Sequence, residues 1–242
     1  MSYIPAVDKA ISESRYKERL DLAFNELQND GVKYLASKLV NTKITNLELG
    51  WNHIGSDGVK YLAGVLANNS TISKLDLNDN RIGDDGAKYL ADILKTKFTI
   101  SNLNLTLNYI GADGAKYLAS ALENNTTLNT LQLNGNNICD DGAKYLASAL
   151  EHNTTLTCID LQYNNIENDG AKFLACALTK NYIITSLGLN YNNISDNIAA
   201  HIKRLVGRNK KYASAKRSLE MFVACSGLPV ELYNDIDKLM LA

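Results

Sequence analysis

The side chains best suited to acid–base or nucleophilic chemistry are scattered along this chain of 242 residues. Its three histidines, His53, His152 and His201, fall at unrelated positions of a repeating pattern. No Ser/His/Asp, Cys/His or glycine-rich phosphate-binding arrangement connects them to other residues. The sequence therefore predicts neither an enzyme active site nor a bound cofactor.

The four cysteines, Cys139, Cys158, Cys176 and Cys225, also lack the spacing that metal binding requires. They contain no C-x-x-C pair, so we expect no metal site. The first residues show no apolar export signal, which makes disulfide bonds unexpected as well. We therefore predict free thiols in a cytoplasmic protein.

One pattern runs through most of the sequence: Leu-x-Leu-x-x-Asn-x-Ile returns every 28 residues. A weaker copy starts at Leu20 and is one residue short of this period. A fixed period of this length indicates one unit of secondary structure stacked on copies of itself, with an extended surface that favours binding over catalysis. The six full copies begin at Leu47, Leu75, Leu103, Leu131, Ile159 and Leu187.

Each unit opens with a Leu-x-Leu segment, whose alternation of apolar and polar residues is typical of a short strand with one buried face. The asparagine that follows has both a donor and an acceptor, so it can bond backbone groups of its own turn and of the neighbouring repeat. We predict a structural ladder formed by Asn52, Asn80, Asn108, Asn136, Asn164 and Asn192.

An Asp-Gly-Ala-Lys-Tyr-Leu-Ala segment comes next and has the period of a helix, with apolar residues on one buried stripe. Its aspartate is expected at the N-cap, where it would satisfy free amides of the first turn. One lysine and one aromatic residue recur in each helix, and we predict that these columns repeat because the helices stack; a binding stripe on the convex side is the alternative. The columns are Lys33, Lys60, Lys88, Lys116, Lys144 and Lys172, and Tyr34, Tyr61, Tyr89, Tyr117, Tyr145 and Phe173. The predicted caps are Asp57, Asp85, Asp113, Asp141 and Asp169.

These units predict an α/β fold, a right-handed solenoid or horseshoe of about seven strand–helix repeats. Parallel strands would line its concave face and helices its convex face. Residues 20–207 are predicted to form the repeat domain. Residues 1–19 would be an N-terminal cap with a helix over 6–19, and residues 208–242 a helical C-terminal cap.

Charge and hydropathy exclude several classes of protein. The net charge is −1, which gives no overall attraction to nucleic acid. Seven bases and no acid lie in the segment from Lys203 to Arg217. This pattern is typical of the solvent-exposed side of capping helices, and binding to an acidic partner, anionic lipid or RNA is the alternative. No apolar run is long enough for a membrane span. We expect neither nucleic acid nor a small-molecule substrate as ligand.

The 28-residue unit resembles the ribonuclease-inhibitor class of leucine-rich repeats over most of the chain. That resemblance implies the horseshoe fold, which ribonuclease inhibitors, Ran GTPase-activating proteins and NOD-like receptors share. The near-identical repeats are also similar to the leucine-rich-repeat effectors that Legionella and related intracellular bacteria inject into host cells. This second resemblance implies secretion into a host cytosol without a classical signal, and a host protein as target.

Two other functions remain open. The likeness to Ran activators implies a GTPase-activating regulator. The segment Leu228-Pro229-Val230-Glu231-Leu232 resembles the opening of an F-box, which implies a substrate adaptor of a ubiquitin ligase. An amphipathic cap helix that buries Leu232, Ile236 and Leu239 explains the same residues.

Binding residues are expected on the concave face, where side chains vary between repeats while the framework does not. Large groups at exposed positions there are typical interface anchors, because the core does not require them. Acids gather in the first three repeats, opposed only by Arg81 and nearby Lys74, and imply a protein partner with a basic patch. Unselected drift of solvated residues is the alternative. We predict a monomeric, non-catalytic protein-binding scaffold that uses Phe24, Glu48, Trp51, Asp76, Asp79, Arg81, Leu107, Tyr109, Tyr163 and Tyr191.

Overall fold

The computed structural model describes residues 3–14, 18–39, 42–96 and 99–226, with side chains up to residue 221. Strands and helices alternate along these ranges and form an α/β solenoid. The F-box-like segment at 228–232 and the apolar positions Ile236 and Leu239 lie outside the described residues.

The strands are three residues long and form one parallel sheet in chain order, on the concave side of the solenoid. Successive strands pair in register, so the first leucine of each repeat lies beside its counterpart, as Leu20 does beside Leu47. The sheet therefore places equivalent side chains of all repeats in straight rows. Its strands are β1 (Arg19–Asp21), β2 (Asn46–Glu48), β3 (Lys74–Asp76), β4 (Asn102–Asn104), β5 (Thr130–Gln132), β6 (Cys158–Asp160) and β7 (Ser186–Gly188).

The helices cover the other side of the sheet and pack against their neighbours in chain order. Their alanines and leucines point inward; Ala115 and Leu118, for example, are fully buried. The helices are α1 (Tyr3–Glu13), α2 (Gln28–Lys38), α3 (Ser56–Leu66), α4 (Gly83–Thr96), α5 (Ala112–Leu122), α6 (Cys139–Leu150), α7 (Asn168–Lys180) and α8 (Asp196–Ser226). We number repeats 1 to 7 by their strands.

The core lies between the sheet and the helices as one continuous layer. Both leucines of the Leu-x-Leu segment point into it, since Leu75 is 1% exposed and Leu77 is not exposed at all. The isoleucine after the asparagine is buried too, as at Ile110. Each repeat thus completes the core of its neighbours, which is the physical basis of a solenoid.

The two ends differ in detail from the sequence prediction. Helix α1 begins before Pro5, because proline is tolerated in a first helical turn, and it ends at Glu13 rather than extending to residue 19. It packs Val7 onto the core of repeat 1. At the other end, α8 continues unbroken through the boundary predicted at 207/208.

The prediction that Asp57, Asp85, Asp113, Asp141 and Asp169 are N-caps is wrong. Each lies inside its helix, in the first turn. In repeats 2 and 4 the amides are satisfied instead by the preceding repeat: Asp84 Oδ1 accepts the N–H groups of Gly111 at 2.7 Å and Gly114 at 2.9 Å. Asn29 does the same for Gly55 and Gly58. Capping therefore ties neighbouring helices together.

The turns between strand and helix alternate between two conformations. In repeats 3 and 5, the first helical residue, Gly83 or Cys139, has a φ of 61° or 55°. Its N–H donates to the backbone carbonyl of Asn108 or Asn164, the ladder asparagine of the following repeat. We call the six ladder asparagines the framework asparagines. In repeats 2, 4 and 6, the N-caps Gly55, Gly111 and Glu167 are extended instead, and their N–H groups donate to a side chain of the preceding repeat. Two consecutive repeats thus form the structural period of repeats 1 to 6. Repeat 7 departs from it, because the Ser195 N–H again donates to a side chain of the preceding repeat, Asn168.

Candidate functional site

The last position of each strand forms the first row of the candidate binding face, here called the strand row. Glu48 and Asp76, both half-buried, lie in register with Asp21 at one side and with Asn104 at the other. Asn104 Nδ2 donates to Asp76 Oδ2 at 3.0 Å. The carboxylates therefore concentrate toward repeats 1 to 3. The strand row is Asp21, Glu48, Asp76, Asn104, Gln132, Asp160 and Gly188.

The cation nearest to these acids is one that sequence reasoning missed. Arg19 donates to Asp21 Oδ2 at 3.0 Å and to Glu48 Oε2 at 2.5 Å. The hydrogen bond to Glu48 is the main cause that raises the pKa of Arg19. The sequence prediction named only Arg81 and Lys74 as cations near these acids, and the structure adds Arg19. Arg81 and Lys74 form no ion pair with another described residue. The ion pair between Arg19 and Glu48 joins two neighbouring strands, so no motif within one repeat predicts it.

The residue just before each of the six framework asparagines, together with Phe24 before Asn25 in repeat 1, forms a second row, the rim row, where the chain leaves the strand. These residues were predicted at strand positions, but the three-residue strands end before them. All seven have a positive φ, between 49° and 70°. Their side chains include Phe24, 70% exposed, and Tyr191, 69% exposed. The rim row is Phe24, Trp51, Asp79, Leu107, Gly135, Tyr163 and Tyr191.

Side chains of the rim row stack in pairs. The rings of Phe24 and Trp51 lie 5.2 Å apart at an angle of 12°, and those of Tyr163 and Tyr191 lie 4.2 Å apart at 7°. Desolvation, followed by the neighbouring Tyr191 hydroxyl, raises the pKa of Tyr163. The row therefore presents flat aromatic surfaces near both ends of the sheet.

Trp51 is also held by a polar contact. With the Asn78 amide oriented so that both of its ends are satisfied, Trp51 Nε1 donates to Asn78 Oδ1 at 3.0 Å. The Asn78 nitrogen then donates to Asp76 Oδ1 at 2.8 Å. This chain of contacts connects the rim row to the acidic part of the strand row.

Two further predicted residues lie just after the framework asparagine. Tyr109 has a φ of 58° and is 75% exposed. Arg81 is exposed and helps to line an open polar cleft of about 530 Å³ with His53, Asp57 and Tyr61. Most of the cleft's lining lies at the start of α2 and α3, and its described residues contain no cluster of metal-binding side chains.

The six framework asparagines lie beneath this face and bond adjacent repeats to each other. Asn80 is 2% exposed; its Oδ1 accepts the N–H groups of Asn52 at 3.1 Å and Ile54 at 2.8 Å. Its Nδ2 donates to Leu49 O and Leu77 O, both at 3.0 Å. These hydrogen bonds hold adjacent repeats together, so the asparagines are structural. The side chains of the strand row and the rim row take no part in these bonds and can vary.

The convex columns of lysine and aromatic residues contact each other between helices. The Lys33 ammonium lies 5.2 Å from the Tyr61 ring centroid, and Lys116 lies 5.3 Å from that of Tyr145. The same cation–π contact recurs for the lysines at 60, 88 and 144. Since the columns already interact with each other, helix stacking explains their repetition.

The described ranges contain neither a candidate metal site nor a candidate membrane-spanning helix. No group of three or more His, Cys, Asp or Glu side chains there could hold a metal ion. Within the same part of the chain, no helix is long and apolar enough to span a bilayer. The described cysteines, Cys139, Cys158 and Cys176, are free thiols.

Comparison with solved structures places the fold among known solenoids. Actin-binding site 2 of leiomodin-1 is 20% identical, with a TM-score of 0.62, covering 69% of this chain and 96% of that one. The tropomodulin C-terminal domain of Caenorhabditis elegans is 13% identical, with a TM-score of 0.58, covering 66% and 97%. At these identities the likeness shows the shared fold alone. No curated protein matches the sequence significantly.

The family described as Leucine Rich repeat matches six segments of the sequence, which together make up more than half of the chain. They are residues 18–36, 40–63, 68–91, 97–119, 124–147 and 152–175. Each segment contains a strand and most of the helix that follows it. The protein therefore belongs to the leucine-rich repeat family.

Proposed function

We propose that this protein is a monomeric, non-catalytic scaffold that binds another protein through its strand row and rim row. The family match and the solenoid fold support an interaction role in general. The exposed aromatic groups and the carboxylates of these two rows support this particular face.

The observation that carries the proposal is the conflict between the rim-row backbone and its side chains. A non-glycine residue in the left-handed region costs about 1–2 kcal/mol, and bulky residues are uncommon there. Yet large apolar side chains occupy most of the row: Phe24, Trp51, Leu107, Tyr163 and Tyr191. Folding alone would favour glycine or asparagine at these exposed positions.

Stacking within the row does not offset that cost. An aromatic pair contributes about 0.5–1.5 kcal/mol beyond its burial, whereas two left-handed residues cost about 2–4 kcal/mol together. Trp51 remains 45% exposed and Tyr163 remains 53% exposed despite their partners. Strained residues cluster at functional sites, and exposed aromatic groups are frequent anchors of interfaces.

Charge indicates the chemistry of the partner. Asp76 and Asp79 form no ion pair with any described residue, whereas Asp21 and Glu48 share Arg19. Two carboxylates beside Trp51 would attract a basic patch that presents arginine or lysine to the aromatic surface. We therefore propose a partner with a basic surface, which contacts repeats 1 to 3 first.

A narrower form of the proposal follows from the resemblance of the repeats to bacterial effectors. In that form the protein acts in the cytosol of a host cell, and its partner is a host protein. The GTPase-activating and ubiquitin-ligase alternatives gain no support from the rows described above. The segment required by the ubiquitin-ligase alternative lies outside the described residues.

The test is affinity capture from a eukaryotic cell lysate, followed by mass spectrometry and affinity measurement on the captured protein. The intact chain is compared with Trp51→Ala in the rim row, with Tyr109→Ala beside that row, and with Tyr117→Ala on the convex side. We expect the first two changes to weaken the complex at least tenfold, since truncating a buried aromatic anchor typically costs about 2 kcal/mol or more. Tyr117→Ala should bind like the parent.

A double substitution tests the acidic part of the face. Replacing Asp76 and Asp79 together by asparagine should weaken binding and reduce its dependence on salt, because charge but not shape is lost. Circular dichroism must first show that every variant is folded. Binding that fails with Tyr117→Ala and survives with Trp51→Ala would move the interface to the convex side.

A further inference from the structure

An open trough crosses the strands of the concave sheet from β2 to β5. Its volume is about 210 Å³, and the strand-row side chains of repeats 2 to 5 contribute to its lining. The contacts that join Trp51 to Asn78 and Asn78 to Asp76 place the rim row along one side of it. A ligand that fills the trough therefore runs along the rows, with polar groups beneath it and aromatic groups beside it.

The floor of the trough is largely bonded to itself. Each inner strand pairs with a neighbour on both sides, so its backbone groups are used within the sheet. The side chains above them also bond each other: Asn104 Nδ2 donates to Asp76 Oδ2 at 3.0 Å, and Thr106 Oγ1 donates to Asn104 Oδ1 at 2.6 Å. An extended segment would find few partners here for its own N–H and C=O groups, whereas a helix satisfies its backbone internally.

The spacing of the rows also matches a helix. Neighbouring strands of a sheet lie about 4.8 Å apart, so equivalent side chains of adjacent repeats recur at about that distance. The stacked rings agree with it, because their centroids lie 5.2 Å apart in repeats 1 and 2 and 4.2 Å apart in repeats 6 and 7. One turn of an α-helix rises about 5.4 Å, whereas residues on one face of an extended chain recur every ~6.7 Å. A helix therefore keeps the register of the rows over several repeats, and an extended chain does not.

Two carboxylates of the strand row indicate the charge of the occupant. Asp76 in repeat 3 and Asp160 in repeat 6 form no ion pair with any described residue. Gln162 holds the Asp160 carboxylate in place, with its backbone N–H donating to Oδ1 at 3.0 Å and its Nε2 donating to Oδ2 at 3.1 Å. Three strand spacings, about 14 Å, separate the two acids. Helix positions i and i+11 share one face and lie about 16.5 Å apart, so flexible lysine or arginine side chains on them can reach both acids.

The rim row offers apolar contacts over a similar length. Trp51 in repeat 2 and Tyr163 in repeat 6 are four strand spacings apart, about 19 Å, which is close to the length of four helical turns. We propose that the partner inserts a helix of about four turns along the trough. Its apolar side chains would lie on the rim row, and two cations eleven residues apart would lie on Asp76 and Asp160. This inference rests on the proposed function and specifies the partner of the same face.

A designed helical peptide tests the inference without the natural partner. The probe is an alanine-based peptide of about 18 residues, long enough to form a helix in isolation, with leucines along one face and two arginines eleven residues apart. Binding is followed by the fluorescence of Trp51, the only tryptophan of the chain. We expect saturable binding and a shift of the emission to shorter wavelength, because a helix on the rim row removes water from the indole.

Two control peptides keep the length and the charge of the probe. In the first, the arginines are nine residues apart, which places them on opposite faces of the helix. In the second, proline replaces two central alanines and breaks the helix. Each should bind at least about tenfold more weakly than the probe, because a charge pair or the fit to the rows is lost.

A substitution in the protein tests the register itself. Asp160→Asn should remove the advantage of the probe over the first control peptide and leave the affinity of that control unchanged. Asp113→Asn, at the start of α5, replaces an exposed acid outside the trough and is the matched control. It should change the affinity of neither peptide.

Three outcomes would overturn the inference. The proline peptide could bind as tightly as the probe, which would assign the trough to an extended segment. The first control could match the probe in affinity and in its response to Asp160→Asn, which would remove the register. Trp51 emission could also stay unchanged with every peptide at millimolar concentration. After any of these results, a captured partner that depends on Trp51 would leave the proposed function standing, whereas a captured partner that ignores Trp51→Ala would refute that function whatever the peptides do.

Discussion

At the scale of the residue, the framework asparagines are equivalent in sequence but not in bonding. Asn80 Oδ1 accepts two backbone N–H groups of repeat 2. The corresponding oxygen of Asn108 is buried and has no hydrogen-bond partner. Its nitrogen is satisfied, since Asn108 Nδ2 donates to Leu77 O at 2.8 Å. The ladder therefore has a weak step between repeats 3 and 4.

This difference predicts unequal costs for the same substitution in adjacent repeats. Asn108→Ala should lower the free energy of unfolding by roughly 1–3 kcal/mol, because carbonyls are left without a donor. Asn80→Ala should cost about 1 kcal/mol more, because two buried N–H groups lose their acceptor as well. Urea denaturation of both variants measures the difference. Equal losses would show that the orphaned oxygen of Asn108 has no energetic meaning.

At the scale of the element, neighbouring aspartates in one helix have different functions. Asp84 accepts the N–H groups of Gly111 and Gly114 in the next repeat. Asp85 follows directly in the first turn of α4. An N-cap at position 85 satisfies the sequence pattern equally well, so only the lateral position of the next helix identifies Asp84 as the cap.

The pair provides a direct test of capping between repeats. Asp84→Ala should lower the free energy of unfolding by about 0.5–2 kcal/mol, the usual effect of removing an N-cap acceptor. Asp85→Ala should cost only a few tenths of a kcal/mol, because it removes a charge near the helix N-terminus and no capping bond. Thermal or chemical denaturation distinguishes them. A larger loss for Asp85→Ala would restore the capping scheme read from the sequence.

The sequence predicted those features that each repeat determines by itself. Strand, asparagine turn and helix follow from apolar spacing, and their fixed period predicts the parallel sheet with Leu47 beside Leu75. Contacts set by a neighbouring repeat could not be read in this way. The pairing of Arg19 with Glu48 joins adjacent strands, and the positive φ of Trp51 depends on how its turn meets the next one.

The sequence predicts the exposure of the candidate site residues but not their backbone conformation. Trp51 and Tyr163 were selected because the core does not require them, and both are exposed. The sequence gives no indication that they lie beyond the strand in left-handed conformations. Their stacking with Phe24 and Tyr191 depends on the spacing between neighbouring repeats, which only the folded sheet defines.

At the scale of the whole molecule, the alternating turns make repeats 1 to 6 a stack of three repeat pairs. Asn29, Asp84 and Asp140, in repeats 1, 3 and 5, supply acceptors to the extended N-caps of repeats 2, 4 and 6. The side chain at the same position in repeats 2 and 4 is Ser56 or Ala112. The repeat after each of these begins its helix with a left-handed residue, Gly83 or Cys139, which needs no such acceptor.

This pairing predicts an inverted order of stability for two internal deletions. Removing residues 83–110 takes out one repeat and joins Ile82 to Gly111, so the extended turn at Gly111 loses Asp84 and faces Ser56 instead. Removing residues 83–138 takes out two repeats, but it joins Ile82 to Cys139 and restores a left-handed turn behind Ser56.

In an array of identical units the shorter deletion must be the more stable, because it retains one more interface. Here the shorter deletion loses a cap and mismatches a turn, each worth about 1–2 kcal/mol. We expect its melting temperature to lie at or below that of the longer deletion. Calorimetry of the two proteins decides between paired and identical repeats, and a clearly higher melting temperature for the shorter deletion would contradict the pairing.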